Sequence, residues 1–233
     1  MRSGLEDERR DASVPRAVAA SPVPLNEASA PPAYPCAMPE PPQNHVHVRS
    51  RAEWRAWLAE HHEREDGVWL VRYKKATGKP TLSTPGITQE ALCYGWVDSV
   101  PRKVDRERTA LYIAPRQSGS NWSRLNKEYV AEMEAQGQMT NAGRAKVSAA
   151  KEDGSWTRLD DVEDLVVPED LAGAFEARPG SADHWDAFPP SVRRGILEWI
   201  LNAKRAPTRA KRIEETARLA QQNKRANQWP RER

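Results

Sequence analysis

Nine of the chain's nineteen prolines lie before Asn44. In stretches such as SPVPLNEASAPPAYPCAMPEPPQ no apolar period survives, and so little hydrophobic surface cannot offset the entropy of ordering the backbone. Residues 1–45 are therefore expected to form a disordered Pro-rich tail. The rest is long enough for one core domain with an appendage or for two small domains. The expected domain runs over 46–225, with an α/β part over 46–118 and a helical part over 119–225, and 226–233 form a flexible C-terminus.

Periodicity divides the domain. Ser50-Arg-Ala-Glu reads as a capping box, after which Trp54, Trp57, Leu58 and His61 share one helical face. VWLVRYKK, from Val68, alternates like a strand and is stopped by Thr77-Gly78-Lys79-Pro80. A short helix over about Thr88–Tyr94 ends at Gly95, and two further strands, Trp96–Val104 and Thr109–Ala114, flank the turn Asp105-Arg106-Glu107-Arg108. Beyond residue 119 the pattern is helical: Trp122, Leu125, Tyr129 and Met133 share a face, and Thr140 caps an alanine-rich segment. Helices are also expected over Pro168–Ala177 and Ser191–Arg205, with the stripe Val192, Ile196, Trp199 and Ile200 buried on the domain core. Pro207 then breaks the chain and Thr208 caps a last helix. The expected fold is α+β, with a small antiparallel sheet of about three strands and a predominantly helical second half. Nine tryptophans beside two phenylalanines mean that indole rings supply much of the core; Trp54, Trp57, Trp69, Trp96 and Trp199 should be buried and Trp229 exposed.

Composition narrows the function. A mean hydropathy of −0.82 and 30% charged residues fit a soluble chain, and no apolar run approaches the ~20 residues that span a bilayer. The first twenty residues carry Glu6, Asp7, Glu8 and Asp11 with no apolar segment, so a cytoplasmic location and no membrane insertion are expected. Cys36 in the tail and Cys93 in an apolar run make a poor disulfide pair; Cys93 reads as a buried small hydrophobe. The net charge of +3 is unevenly spread: from Ser191 to Arg233 there are 12 Lys/Arg against 4 Asp/Glu, a net +8. A basic end of this kind favours an acidic partner.

The familiar catalytic signatures are absent: there is no GxGxxG, P-loop, HExxH or CxxC pair, and GSNWS lacks the second glycine of a nucleophile elbow. Neither a metal site nor a cofactor is expected. What stands out is PRQSGSNWSRLN, residues 115–126, at a strand-to-helix change. If Ser120 caps a helix starting at Asn121, the free N–H groups of its first turn attract an anion, with Arg116 beside them and Ser118, Ser123 and Asn126 adding hydrogen bonds. Trp122 offers a flat face to a ring or guanidinium, or else belongs to the core, and Arg116 alternatively forms a salt bridge. Asp98, the one carboxylate in the apolar run Leu92–Val100, either pairs with Arg116 or Arg102 or serves as a general base. Lys204, Arg205, Arg209 and Arg212 form a basic patch at a helix–Pro–helix joint without local acidic partners.

The blocks QEALCYGWVDS, APRQSGSNWSRLN, QGQMTNAGRAKVSAAKEDGSW and AKRAPTRAKRIEE, in that order, resemble the YdeI/OmpD-associated family of bacteriocin-protection proteins over about residues 46–225. The resemblance implies a soluble bacterial protein with a role in tolerance of antimicrobial peptides, and it assigns no reaction. Ala206-Pro207 departs from the family pattern, where a helix-compatible residue is expected.

Three functions fit these residues. The first is a protein with a stress or tolerance role that holds an anionic small molecule at Arg116, Ser118, Ser120, Trp122, Ser123 and Asn126. Arg209 and Arg212 would be folded back over the same site. The second is a nucleic-acid binder using Lys204, Arg205, Arg209 and Arg212. The third is an enzyme acting on a phosphate- or carboxylate-bearing substrate with Asp98 as base. A closed pocket joining Asp98, Arg116 and the C-terminal arginines separates the first and third from the second.

Overall fold

The computed structural model describes residues 43–227; of the tail expected over 1–45, residues 1–42 lie outside the described residues, as do 228–233 with Trp229, while the boundary at 45 falls too late because His45 already opens a strand. The fold is α+β. A four-stranded sheet has the order β1 (His45–His47), β2 (Val68–Tyr73), β4 (Arg108–Pro115), β3 (Trp96–Lys103). β2, β4 and β3 pair antiparallel as expected, whereas β1 adds a parallel edge strand that makes the sheet mixed. Three residues carry too little alternation to reveal a strand, and His45 adjoins the Pro-rich stretch.

One face of the sheet is covered by α1 (Arg51–His61) and α2 (Thr84–Cys93). Ser50 caps α1 by accepting from the Glu53 amide, while the Glu53 carboxylate turns back to the Arg49 amide. Trp54 and Trp96 are fully buried with Leu58, Leu70, Ile87 and Ile113, and each indole N–H finds a carbonyl, on Ile87 and His62 respectively. Trp57, Trp69 and Trp199 are only half-buried. Trp57 stacks at the core margin on Trp54 and His61, Trp69 lies beneath Arg102, and Trp199 lies beneath Arg212. Glu90 of α2, 2% exposed, is paired by Arg51 and Arg55.

The helical half begins with α3 (Arg124–Ala135) and α4 (Asn141–Glu152), which enclose Leu92, Cys93, Trp122, Met133 and Met139 with the end of α2. Burial pushes the Cys93 thiol up from its ordinary value, in keeping with an inert core position. The α4 backbone lies directly on the Cys93–Gly95 turn. Thr140 donates its hydroxyl to the Cys93 carbonyl at 2.6 Å, and a Cβ on Gly143 would come within 2.3 Å of the same oxygen. Gly95 has φ +77°, and a Cβ there would meet the Lys146 side chain at 2.7 Å.

A second core lies among α5 (Asp160–Glu163), α6 (Glu169–Glu176), α7 (Ser181–Asp186), α8 (Pro190–Leu201) and α9 (Ala206–Gln221). Ile196 and Ile200 of α8 pack against Leu171, Trp185, Ile213 and Ala217. The α8 stripe is therefore satisfied by neighbouring helices rather than by the sheet. Pro207 does not break the chain before a Thr208 cap; it sits in the first turn of α9, whose N-cap is Arg205, where a missing N–H costs nothing.

Candidate functional site

β4 delivers Arg116 to the domain interior, where its amide donates to the Gly95 carbonyl at 2.9 Å. Gln117 to Ser120 then close a turn through the Ser120 amide and the Gln117 carbonyl, with Gly119 at φ +70°. The chain runs without regular structure to Ser123, and this serine, not Ser120, is the N-cap of the next helix, accepting from the Asn126 amide. The helix starts at Arg124 rather than Asn121 because Trp122 is drawn into the core, 2% exposed.

The helix start is also already faced by an anion of the protein's own. The Arg124 amide donates to Glu163 Oε1 at 3.4 Å, and Arg194 grips the same carboxylate at 2.9 and 3.0 Å. Arg194 first, with smaller contributions from the Arg124 amide and its charge, holds the Glu163 carboxyl below its ordinary value. Sequence spacing alone cannot reveal a carboxylate 39 residues away at a helix end.

Arg116 itself is a buried cation. Its guanidinium carbon lies 3.5 Å from the centroid of the Trp122 ring, so Trp122 is both a core residue and a face for a guanidinium. Nη1 donates to the Asn121 carbonyl at 3.1 Å, while Nε and Nη2 are buried with no hydrogen-bond partner. No carboxylate among the described residues forms an ion pair with it. Burial pushes its pKa down from its ordinary value to about 10, with the Asp98 charge pulling the other way.

Arg116 lines a cleft of about 60 Å³ bounded by Ser118, Gly119, Ser120, Trp122 and, from α4 and its end, Lys146, Asp153 and Ser155. Asp153 closes the far side, accepting from the Ser155 and Gly119 amides and from Ser118 Oγ at 2.9–3.2 Å. Ser155 first, then Gly119 and Ser118, hold its carboxyl below the usual range. The buried Ser155 hydroxyl acts on this carboxylate without closing a hydrogen bond of normal geometry. Sequence reasoning misses Lys146, Asp153 and Ser155 as site residues. The signal is the Lys146 to Ser155 spacing in KVSAAKEDGS, which puts both ends of one helix wall against the 116–120 turn.

The other expected site residues lie elsewhere. Asp98, half-buried on β3, pairs with neither Arg116 nor Arg102; it lines a separate hollow of about 470 Å³ with Ser123, Asn126 and Tyr129, where no histidine or second carboxylate accompanies it. Arg209 and Arg212 do not join Arg116. Arg209 forms two hydrogen bonds to Asp170 at 2.7 and 2.9 Å, and Arg212 donates to the Trp199 carbonyl while lying 4.8 Å over its ring. Both belong to the second helical core, so the joint pocket of Arg116 with the C-terminal arginines is not formed. Lys204 and Arg205 are exposed at the α8–α9 joint.

Among the described residues no helix is long and apolar enough to cross a membrane. No curated protein and no solved structure matches the chain. Residues 46–146 match a domain of unknown function, DUF8412, a stretch that contains β2, β3, β4 and Arg116. The first half of α4 falls in that match, while Asp153 and Ser155 fall between it and the next. Residues 164–223, which hold α6 to α9 of the second helical core, match the family described as Bacteriocin-protection, YdeI or OmpD-Associated; of the four blocks that carry the resemblance over 46–225, only AKRAPTRAKRIEE lies inside that match.

Proposed function

We propose that the protein binds a small anion at Arg116 and that this binding underlies a bacteriocin-protection role in the cytoplasm. One observation carries the reading: a guanidinium 2% exposed, with two unpartnered nitrogens and no ion-paired carboxylate, lines a cleft beside Lys146. A buried charge of this kind is costly unless it is paired, and an entering anion supplies the pairing. The protective role rests on the family match over residues 164–223. Engagement of Arg209 by Asp170 and of Arg212 by Trp199 removes half of the basic patch that a nucleic-acid reading needs. An enzymatic role for Asp98 finds no histidine or second carboxylate beside it in its hollow.

Thermal denaturation of the full chain with acetate or inorganic phosphate tests this. An anion at ~100 times its Kd stabilises by ~2.7 kcal/mol, which for a domain of this size raises Tm by about 5–10 °C. The shift should vanish in Arg116→Met and survive in Arg209→Ala. Melting curves that do not saturate with either anion, or a shift lost with Arg209→Ala and kept with Arg116→Met, contradict the reading.

A further inference from the structure

The cleft at Arg116 is not isolated. An outer recess of about 610 Å³ shares Arg116, Gln117, Ser118 and Lys146 with it and continues past Tyr94 and His62. We infer that the natural ligand is an organic monocarboxylate, its carboxylate held at Arg116 and Lys146 and its ring-bearing body lying in the outer recess. This deepens the small-anion reading and rests on it.

Charge and lining support the assignment. The inner cleft carries Arg116 and Lys146 against one carboxylate, Asp153, an excess of one positive charge. The outer recess is bordered by Glu63 and Glu65 with Arg64 between them, so a second anionic group on the ligand would meet repulsion there. Its volume lies in the range of small-molecule sites. The Tyr94 and His62 rings lie 5.5 Å apart on one side, and Ala142 and Ala145 of α4 form a smooth wall on the other. The close approach of α4 at Gly95 and Gly143 sets that wall in place.

Calorimetric titration of the full chain at pH 7 and fixed ionic strength separates this inference from the reading beneath it. Phenylacetate should bind at least tenfold more tightly than acetate, and terephthalate and inorganic phosphate no more tightly than acetate. Ala145→Trp, an exposed α4 position that faces the recess, should erase the phenylacetate advantage while acetate binding stays unchanged. Tyr94→Ala should reduce the advantage in the same direction. Equal affinities for acetate and phenylacetate, or tightest binding of terephthalate or phosphate, overturn the monocarboxylate assignment and leave the anion site standing. No saturable binding of any of these anions overturns both.

Discussion

Replacing Arg116 with methionine should leave the ligand-free protein within about 1 kcal/mol of the wild type, or make it slightly more stable, a small effect for so buried a position. Burial lowers the Arg116 pKa from its ordinary value to about 10, a displacement worth about 3 kcal/mol against the charged native form. The sign follows from linkage. At neutral pH the guanidinium is protonated in both folded and unfolded chains, so the penalty is present in full and is relieved only as pH rises through about 10. Methionine removes that penalty and keeps a chain of similar reach against Trp122. It forfeits about 1–2 kcal/mol of cation–π attraction and about 1 kcal/mol from the Nη1 hydrogen bond to Asn121. Loss and gain nearly cancel. Were Arg116 instead a structural anchor, its removal would cost about 3–5 kcal/mol, or roughly 6–20 °C in Tm. Urea denaturation of both proteins in an anion-free zwitterionic buffer distinguishes the two, and a loss above ~3 kcal/mol refutes the near-cancellation of burial penalty and lost contacts.

Three further outcomes follow from the same geometry. Gly143→Ala should destabilise by about 2–3 kcal/mol and weaken anion binding, because its Cβ must push α4 off the Cys93 carbonyl; denaturation combined with acetate titration checks both. The Glu163 carboxyl, held low chiefly by Arg194, should contribute about 1–2 kcal/mol that is complete above pH 4.5 and lost as pH falls through its lowered folded value. Glu163→Gln should flatten stability against pH in that acid window, and an unchanged profile refutes the assignment. A chain beginning at Ser50 should be about 2–3 kcal/mol less stable than one beginning at Gln43, since it lacks β1 and the buried Val48; equal melting temperatures would show that the edge strand contributes nothing.

The elements with long periods are legible in the sequence, and those whose partners are distant are not. Ser50 and Thr140 mark helix starts because a cap acts within three residues, and both accept from the amide expected. Ser120 looks equally good as a cap, but the demand of Trp122 for a buried place moves the start to Ser123. Arg116 stands out as an arginine at a strand end; that it is buried and lacks a carboxylate depends on β4 passing beneath Trp122, which no local pattern states. Arg209 and Arg212 look unpartnered in the sequence because Asp170 and the Trp199 carbonyl lie on other helices. Lys146 and Asp153 read as an ordinary helix face, since only packing on the Cys93–Gly95 turn brings them to the site.

On the proposed function, Arg116 receives a small anion through its unpartnered nitrogens. Nitrogen-15 side-chain NMR of the full chain observes arginine Nε–H groups directly, and the Arg116 resonance is identified by its absence in Arg116→Met. Titration with acetate at constant ionic strength should move that one buried resonance along a saturating curve, with the Arg209 and Arg212 resonances unmoved. An Arg116 signal that stays fixed while exposed arginines drift linearly with acetate would contradict the claim.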